Sequence, residues 1–426
     1  MEILKNIYDY VINAGAFVFV PIIIFLFGLI VGLKVTKAFR ASLFVGMGLA
    51  GIDLAIWSLL YPTFSTPASM MIERFGIKNL EYIDVGWGLP AAIGWSTPLV
   101  PIVVGVIFLL NILLIVLNLT KTLDIDFWNY WHMTLMAAYV YFITDNVVIS
   151  VILAAIYFII LLKAADFFAP MVQKYWGYPG VSIPHGEVIS MGIIQYPVNW
   201  ILDKIPFLKN LKADQESIRK RFGIFGEIPV MGFLIGVLLA ILGGMAIKDI
   251  ILTGVKVGLG FYLMPKMVSI LVEGLLPVSE GARDFVTKKF KNREIYLGLD
   301  AAVLMGDSSV LATGLLLLPY FILISTVLPG NGVLPIGTLD ATIWYVAIAV
   351  GLANGNIIKA FINGLITLPI ILWVSTAMAP LLTKVAIAIQ YQMPDLTSGA
   401  LGVTGVTTGA EWPAWLLTLI AKIFAQ

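Results

Sequence analysis

The chain has 426 residues, 60% of them hydrophobic and 12% charged, with 26 Lys and Arg against 25 Asp and Glu. A soluble domain carries about 25% charged residues, so this chain has too little polar surface to face water on every side. It holds no Cys and two His, which excludes disulfides, thiolate metal sites and a cysteine nucleophile, and argues against a zinc-hydrolase constellation.

Apolar runs such as 18–33 and 99–119 recur often enough for about 10–11 transmembrane helices of roughly 20 residues each. The sequence therefore predicts an all-α polytopic membrane protein. The first span runs from about Val11 to Leu33, without the basic start or small-residue cleavage site of a signal peptide, and reads as a retained helix. A basic turn with Lys34, Lys37 and Arg40 follows. The second span, Ala41 to Leu60, carries Gly46, Gly48, Ala50 and Gly51, which allow close helix contact. Pro62–Glu81 reads as a polar connection. Tyr82–Ser96, YIDVGWGLPAAIGWS, has too many Gly and Pro for a regular span and predicts a re-entrant hairpin or broken helix. A span from Pro98 to Leu119 ends at the turn Thr120–Trp128. Next come a less apolar helix, Trp128 to Thr144, and a span from Asn146 to Phe168 closed by Ala169–Pro170. Tyr178–Pro206 is mixed and contains SIPHGEVISMG. Leu208–Phe222, rich in Lys and Arg, reads as an amphipathic surface helix.

Beyond it the pattern starts again. Pro21 with FLFG (25–28) recurs as Pro229 with FLIG (233–236), and the polar stretch 82–96 recurs as IYLGLDAAVLMGDSS at 295–309. Thr122-Leu123-Asp124 with Trp128 recurs as Thr338-Leu339-Asp340 with Trp344. Asn146 and Ala169–Pro170 recur as Asn356 and Ala379–Pro380. These landmarks keep their order and nearly constant spacing, which predicts two repeats, 1–206 and 229–426, joined by a linker at 207–228. Each repeat holds five spans and one re-entrant hairpin. An odd span number inverts the second repeat relative to the first, and the basic excess alternates between the halves accordingly. By the positive-inside rule the linker is cytoplasmic. Inverted repeats with broken helices are a transporter signature.

The polar residues inside this apolar chain are the candidates for solute binding. A carboxylate at depth in a bilayer is costly unless paired or solvated. Asp300 is thus either an acceptor for solute hydroxyls facing a watery cavity or a cap on the helix starting near Ala301. Asp307 carries the same two readings. Across the repeat, Asp300 and Asp307 correspond to Gly88 and Trp95, so the two half-sites differ chemically. His185, Gly186 and Glu187 follow Pro184, where a broken helix leaves backbone groups free for a polar solute; Glu187 contacts the solute or fixes the His185 tautomer. His132 is either a site residue or satisfied within its helix. Trp87 and Trp95 stack on a sugar's C–H face or anchor the chain at the membrane interface, and the adjacent Ser96 is a further candidate for solute binding. Glu227 reads as a helix-start or gating residue. No P-loop occurs, so ATP is not used, and no cofactor or metal is expected. Nor does any basic, aromatic-interleaved stretch point to nucleic acid.

IDVGW (83–87), WHMT (131–134), IPHG (183–186), KRFGIFGE (220–227), GLD (298–300) and VLPGNGVLP (327–335) resemble the membrane-embedded EIIC component of the galactitol-type phosphotransferase system, a relative of the ascorbate type. The resemblance covers nearly the whole chain. It implies a homodimeric carrier in the bacterial cytoplasmic membrane, moving a sugar or polyol inward while a separate EIIB phosphorylates it. Phosphate would come from phosphoenolpyruvate through EI, HPr and EIIA to a cysteine on EIIB. It also implies an elevator motion of a hairpin-bearing core against a scaffold. The lack of Cys fits a chain with no fused EIIB. The basic face around Arg219–Arg221 and Lys288–Arg293 would dock EIIB, or simply reflects positive-inside bias. The alternative is an ion-coupled secondary transporter with Asp300 and His185 as the relay.

Overall fold

The computed structural model describes residues 16–76, 81–211, 213–289, 293–392 and 400–425. Helices dominate, because apolar segments in lipid offer backbone N–H and C=O groups no partner but each other. α1 covers Ala16–Ile30 and α2 covers Val35–Phe75. The second span therefore does not stop at Leu60, and the polar connection expected from Pro62 begins only after Phe75. The reason is local. Leu54–Leu60 is wound as a π-helix, and the Tyr61 N–H reaches back to the Ile56 carbonyl. The wider turns absorb the hydrogen bond that Pro62 lacks, so the helix continues.

β1 (Tyr82–Asp84) leads to the short α3 (Gly88–Ser96), which breaks by 93° into α4 (Val100–Val116). β2 (Thr122–Asp124) and a 3-10 turn (Phe127–Tyr130) precede α5 (Trp131–Thr144). α6 (Val147–Trp176) runs through Pro170 instead of ending there. Proline is tolerated inside membrane helices whose neighbours re-satisfy the freed backbone, and the stop comes from Gly177 in the left-handed region, φ 72°. β3 (Val181–Ser182) precedes α7 (Gly186–Leu202). The single helix expected at 208–222 is two, α8 (Pro206–Asn210) and α9 (Gln215–Phe222). The backbone is extended at Leu211, and Asp214 starts the second helix by accepting the Ser217 N–H at 2.8 Å.

α10 (Ile228–Gly243) and α11 (Ile247–Lys289, 43 residues) follow. Then come β4 (Tyr296–Gly298), a 3-10 turn (Ala301–Leu304), α12 (Ser308–Val327) and β5 (Val333–Leu334). α13 (Thr342–Leu352), α14 (Ile357–Ala388), β6 (Gly402–Thr404), α15 (Thr407–Ala410) and α16 (Trp412–Ala421) complete the described chain. Five of these helices are long and apolar enough to cross a bilayer, or seven if each of two bent pairs is one span. The chain is a multi-pass α-helical membrane protein.

Among the described residues, α2 and α11 are the longest helices, and they pack backbone to backbone. A Cβ on Gly48 would lie 2.5 Å from the Leu271 nitrogen, and one on Gly274 would lie 2.7 Å from the Ala41 oxygen.

The sequence predicts no strands. The described residues form two three-stranded parallel sheets, ordered β5-β1-β6 and β2-β4-β3. β1 pairs Tyr82 with Val333 and with Gly402. β4 pairs Tyr296 with Thr122 and Leu297 with Val181. In each sheet the middle strand comes from one side of the α8–α9 connection and both flanking strands come from the other.

Candidate functional site

A cavity of about 370 Å³ lies between these sheets and the first long helices. One wall comes from α1, α2 and α11 and is apolar but for Asp53, through Val20, Ile24, Val45, Leu49, Leu271 and Leu275. The opposite wall is polar, and its origin is regular. Each of the six strands is followed within a few residues by a cavity residue: Trp87 after β1, Asp126 after β2, His185 after β3, Asp300 after β4, Asp340 after β5 and Thr407 after β6. The strands end where helices begin, so these side chains leave the backbone at breaks, with room to point inward.

Asn129 ties part of this wall together. Its Nδ2 donates to Asp126 Oδ2 at 2.5 Å and to Asp300 Oδ2 at 2.7 Å, while Trp131 Nε1 donates to its Oδ1 at 3.1 Å. The other oxygen of Asp300 accepts the Ala302 N–H at 2.6 Å. Asp300 therefore caps a helical turn and also lines the cavity.

His185 and Glu187 both line the cavity. The His185 ring stacks on Trp344 with centroids 5.8 Å apart and meets His132 edge-on at 4.6 Å. Its Nδ1 is buried with no hydrogen-bond partner among the described residues. His132 stands one layer behind the cavity. Its Nδ1 lies 3.0 Å from Glu411 Oε1, and Tyr157 Oη donates to Glu411 Oε2 at 2.6 Å. Gly186 makes this approach possible, since a Cβ there would sit 2.6 Å from His132 Nδ1.

Three expected site residues lie elsewhere. Trp95 packs on Trp128 at 5.7 Å and does not line the cavity. Ser96 is exposed at the end of α3. Asp307 caps α12, accepting the Ser309 and Val310 N–H groups at 2.8 and 3.0 Å and the Tyr175 hydroxyl at 3.2 Å.

The structure adds Asp53, Trp57, Asp126, Asn129, Asp340 and Trp344 to the lining. Asp340 and Trp344 carry a signal in the sequence: they belong to the TLD-and-Trp pattern that occurs twice, whose other copy places Trp128 on the cavity, while Asp124 accepts the N–H of the lining residue Asp126 at 3.1 Å. Asp84, at the end of β1, fastens the region. It accepts the Thr338 hydroxyl at 2.8 Å, the Val406 N–H at 3.0 Å and the Gly86 N–H at 3.1 Å. Carboxylates accept hydroxyl hydrogens and indole faces pack on C–H surfaces. Together around a small cavity, they suit a compact polyhydroxylated solute.

Comparison with known proteins agrees with this chemistry. The family model EIIC-GAT, described as "PTS system sugar-specific permease component", matches residues 10–396. The chain belongs to this permease family. Two Escherichia coli K12 relatives show how closely the permease follows it. One, named "Putative permease IIC component", is 36% identical over 380 residues, covering 89% of this chain and 86% of the relative. The other, named "PTS system galactitol-specific EIIC component", is 33% identical over 417 residues, covering 97% and 90%. The protein of the same name from strain O157:H7 matches equally.

Proposed function

We propose that this permease binds a sugar or polyol in the cavity at the strand ends and carries it inward as a separate EIIB, charged by EIIA, phosphorylates it. The observation that carries the reading is the convergence of six strand ends, with their carboxylates, His185 and indoles, on one cavity. Two relatives are named as galactitol-specific, which makes polyols the first solutes to try. Asp300, His185 and Glu187 contact the solute directly. Gly186 and His132 support them from behind, Trp87 packs on the solute, and Trp95, Ser96 and Asp307 stabilise neighbouring elements.

The chain divides into inverted repeats, 1–206 and 229–426. The exchange of strands supports this, since each sheet is the other's image with the two halves interchanged. α1, α2, α10 and α11 form a scaffold that pairs two copies in the bacterial cytoplasmic membrane, and the strand-bearing remainder moves past it as an elevator. The position of the cavity supports the division, because apart from Asp53 the scaffold side is apolar and the other carboxylates and His185 lie on the core side. Arg219, Lys220 and Arg221 are exposed and give EIIB a basic face; residues 290–292 of the second basic stretch lie outside the described ones.

A second reading, ion-coupled transport, has one observation in its favour, the buried run from His185 through His132 to Glu411. Uptake by membrane vesicles separates the two. Solute that accumulates as its phosphate ester only when EIIB, EIIA, EI, HPr and phosphoenolpyruvate are supplied supports the carrier. Accumulation of unmodified solute driven by a proton or sodium gradient replaces it with the second reading.

A further inference from the structure

One helix of the apolar wall carries a carboxyl group. The cavity face of α2 returns every three or four residues, as a helix face must, through Val45, Leu49, Ile52, Asp53, Ile56 and Trp57. Asp53 is the lone acid of that face and stands midway along the helix. Its side chain makes no cap and has no hydrogen-bond or ion-pair partner among the described residues. An acid inside a membrane helix is costly, and one that the protein leaves unpaired marks the path of a solute. A carboxyl group meets a hydroxyl in either protonation form, accepting through its oxygens and, when protonated, donating as well.

The facing wall is built differently. Asn129 ties Asp126 to Asp300, and Asp300 also accepts the Ala302 N–H, so the protein fixes these groups before any solute arrives. Groups held in this way read the placement of hydroxyls. The gap between the two walls is fixed as well. Trp57 of α2 meets Trp87, which follows β1, edge-on with centroids 5.1 Å apart. Behind Asp53, α2 lies against the backbone of α11 at Gly48, and a Cβ on Gly51 would run into the Met267 side chain. α2 therefore cannot retreat from a solute without unpacking α11.

A rigid gap with a hydrogen-bonding group at each end measures length. We infer that Asp53 is the residue that sets which solute lengths the permease accepts: a solute held at the Asp126 and Asp300 side is retained when its far hydroxyl reaches Asp53, and a shorter one leaves that carboxyl group unmet. The inference rests on the reading of this cavity as the solute site, and it adds a specificity-determining residue from the wall that otherwise offers apolar contact.

The test measures equilibrium binding to the full-length permease in lipid nanodiscs, using linear polyols of three to seven carbons and aldoses of four to six. Each solute is compared with itself between wild type and variant, so its stereochemistry at the Asp300 side cancels. Asp53→Leu removes the hydrogen bond and is expected to weaken the best-bound solute about fivefold or more. Solutes one or more carbons shorter, which do not reach Asp53, are expected to change by less than about twofold. Asp53→Glu reaches further by one methylene and is expected to move the preference to a solute one carbon shorter. A merely structural role would weaken every solute alike and leave the order of preference in place. No loss in Asp53→Leu, a loss shared equally across the panel, or a preference that Asp53→Glu leaves unmoved or shifts to longer solutes overturns the inference and leaves the solute site standing. Failure of the whole panel to bind the wild type overturns the site reading, and the inference with it.

Discussion

The Nδ2 of Asn129 lies 2.7 Å from Oδ2 of Asp300, a contact between residues 171 apart in the chain. The same nitrogen reaches Asp126, so one amide sets the spacing of two carboxylates on the cavity wall. Leu fills a similar volume but donates nothing. Hydrogen bonds to charged groups are worth about 1.5–3 kcal/mol each, so Asn129→Leu should weaken solute binding by at least about tenfold. Equilibrium binding of a radiolabelled polyol is the measurement, and wild-type affinity in the variant would show that the spacing is immaterial.

Asp300 and Asp307 sit in one polar stretch of sequence and should separate by experiment. Asp300→Asn keeps the volume and one acceptor but replaces the other acceptor oxygen with a donor. It should reduce solute affinity about tenfold or more. Asp307→Ala removes the cap of α12, at a cost of about 0.5–2 kcal/mol, and should lower the Tm while leaving affinity close to wild type. Binding isotherms and thermal unfolding on the same preparations would show whether the roles divide this way or are shared.

Gly48 and Gly274 set the distance between α2 and α11. A methyl at either position meets backbone and not a flexible side-chain end, so neither contact yields without moving a helix. Gly48→Ala and Gly274→Ala should each destabilise by about 1–3 kcal/mol, the usual cost of overpacking. Unfolding in detergent would read this directly. An unchanged Tm in both would mean that the helices separate freely.

Glu411 is 2% exposed and receives the Tyr157 hydroxyl close to His132. Tyr157→Phe removes that donor and leaves a buried carboxylate oxygen unsatisfied, at a cost of about 1–3 kcal/mol or more. The expected result is lower stability and reduced uptake, with Glu411→Gln restoring part of the stability in the double variant because an amide tolerates the loss better than a carboxylate. Absence of any recovery would place the effect of Tyr157 in packing alone.

Much of this arrangement was legible in the residues themselves. Low charge and recurrent apolar runs identify the membrane, and Gly and Pro at 82–96 mark the break that becomes β1 and α3. IPHGE and GLD pick out His185, Glu187 and Asp300 because polar groups are rare in such a chain. Other features depended on distant partners. Strands of two or three residues have no readable period, and β1 exists because Val333 and Gly402 come to lie beside it. Pro62 and Pro170 read as helix ends, yet π-turns and surrounding helices carry the chain past them. Asp340 and Trp344 were visible as a repeated pattern, but nothing local distinguishes a landmark from a cavity wall. Asp307 shows the converse: its polarity stands out in sequence, and its hydrogen bonds are spent on the backbone of its own helix and on the Tyr175 hydroxyl.

The exchanged strands also bear on how the protein is made. β1 has no sheet until Val333 and Gly402 exist, so about 250 residues of synthesis separate the middle strand from its first neighbour. At roughly 5–20 residues per second, Tyr82–Asp84 waits tens of seconds in a nascent chain with its backbone unpaired. The N-terminal portion released alone would never close that sheet and would be a substrate for quality-control proteases. A ribosome stalled before β6 would leave behind a chain whose first half is as incomplete as its last.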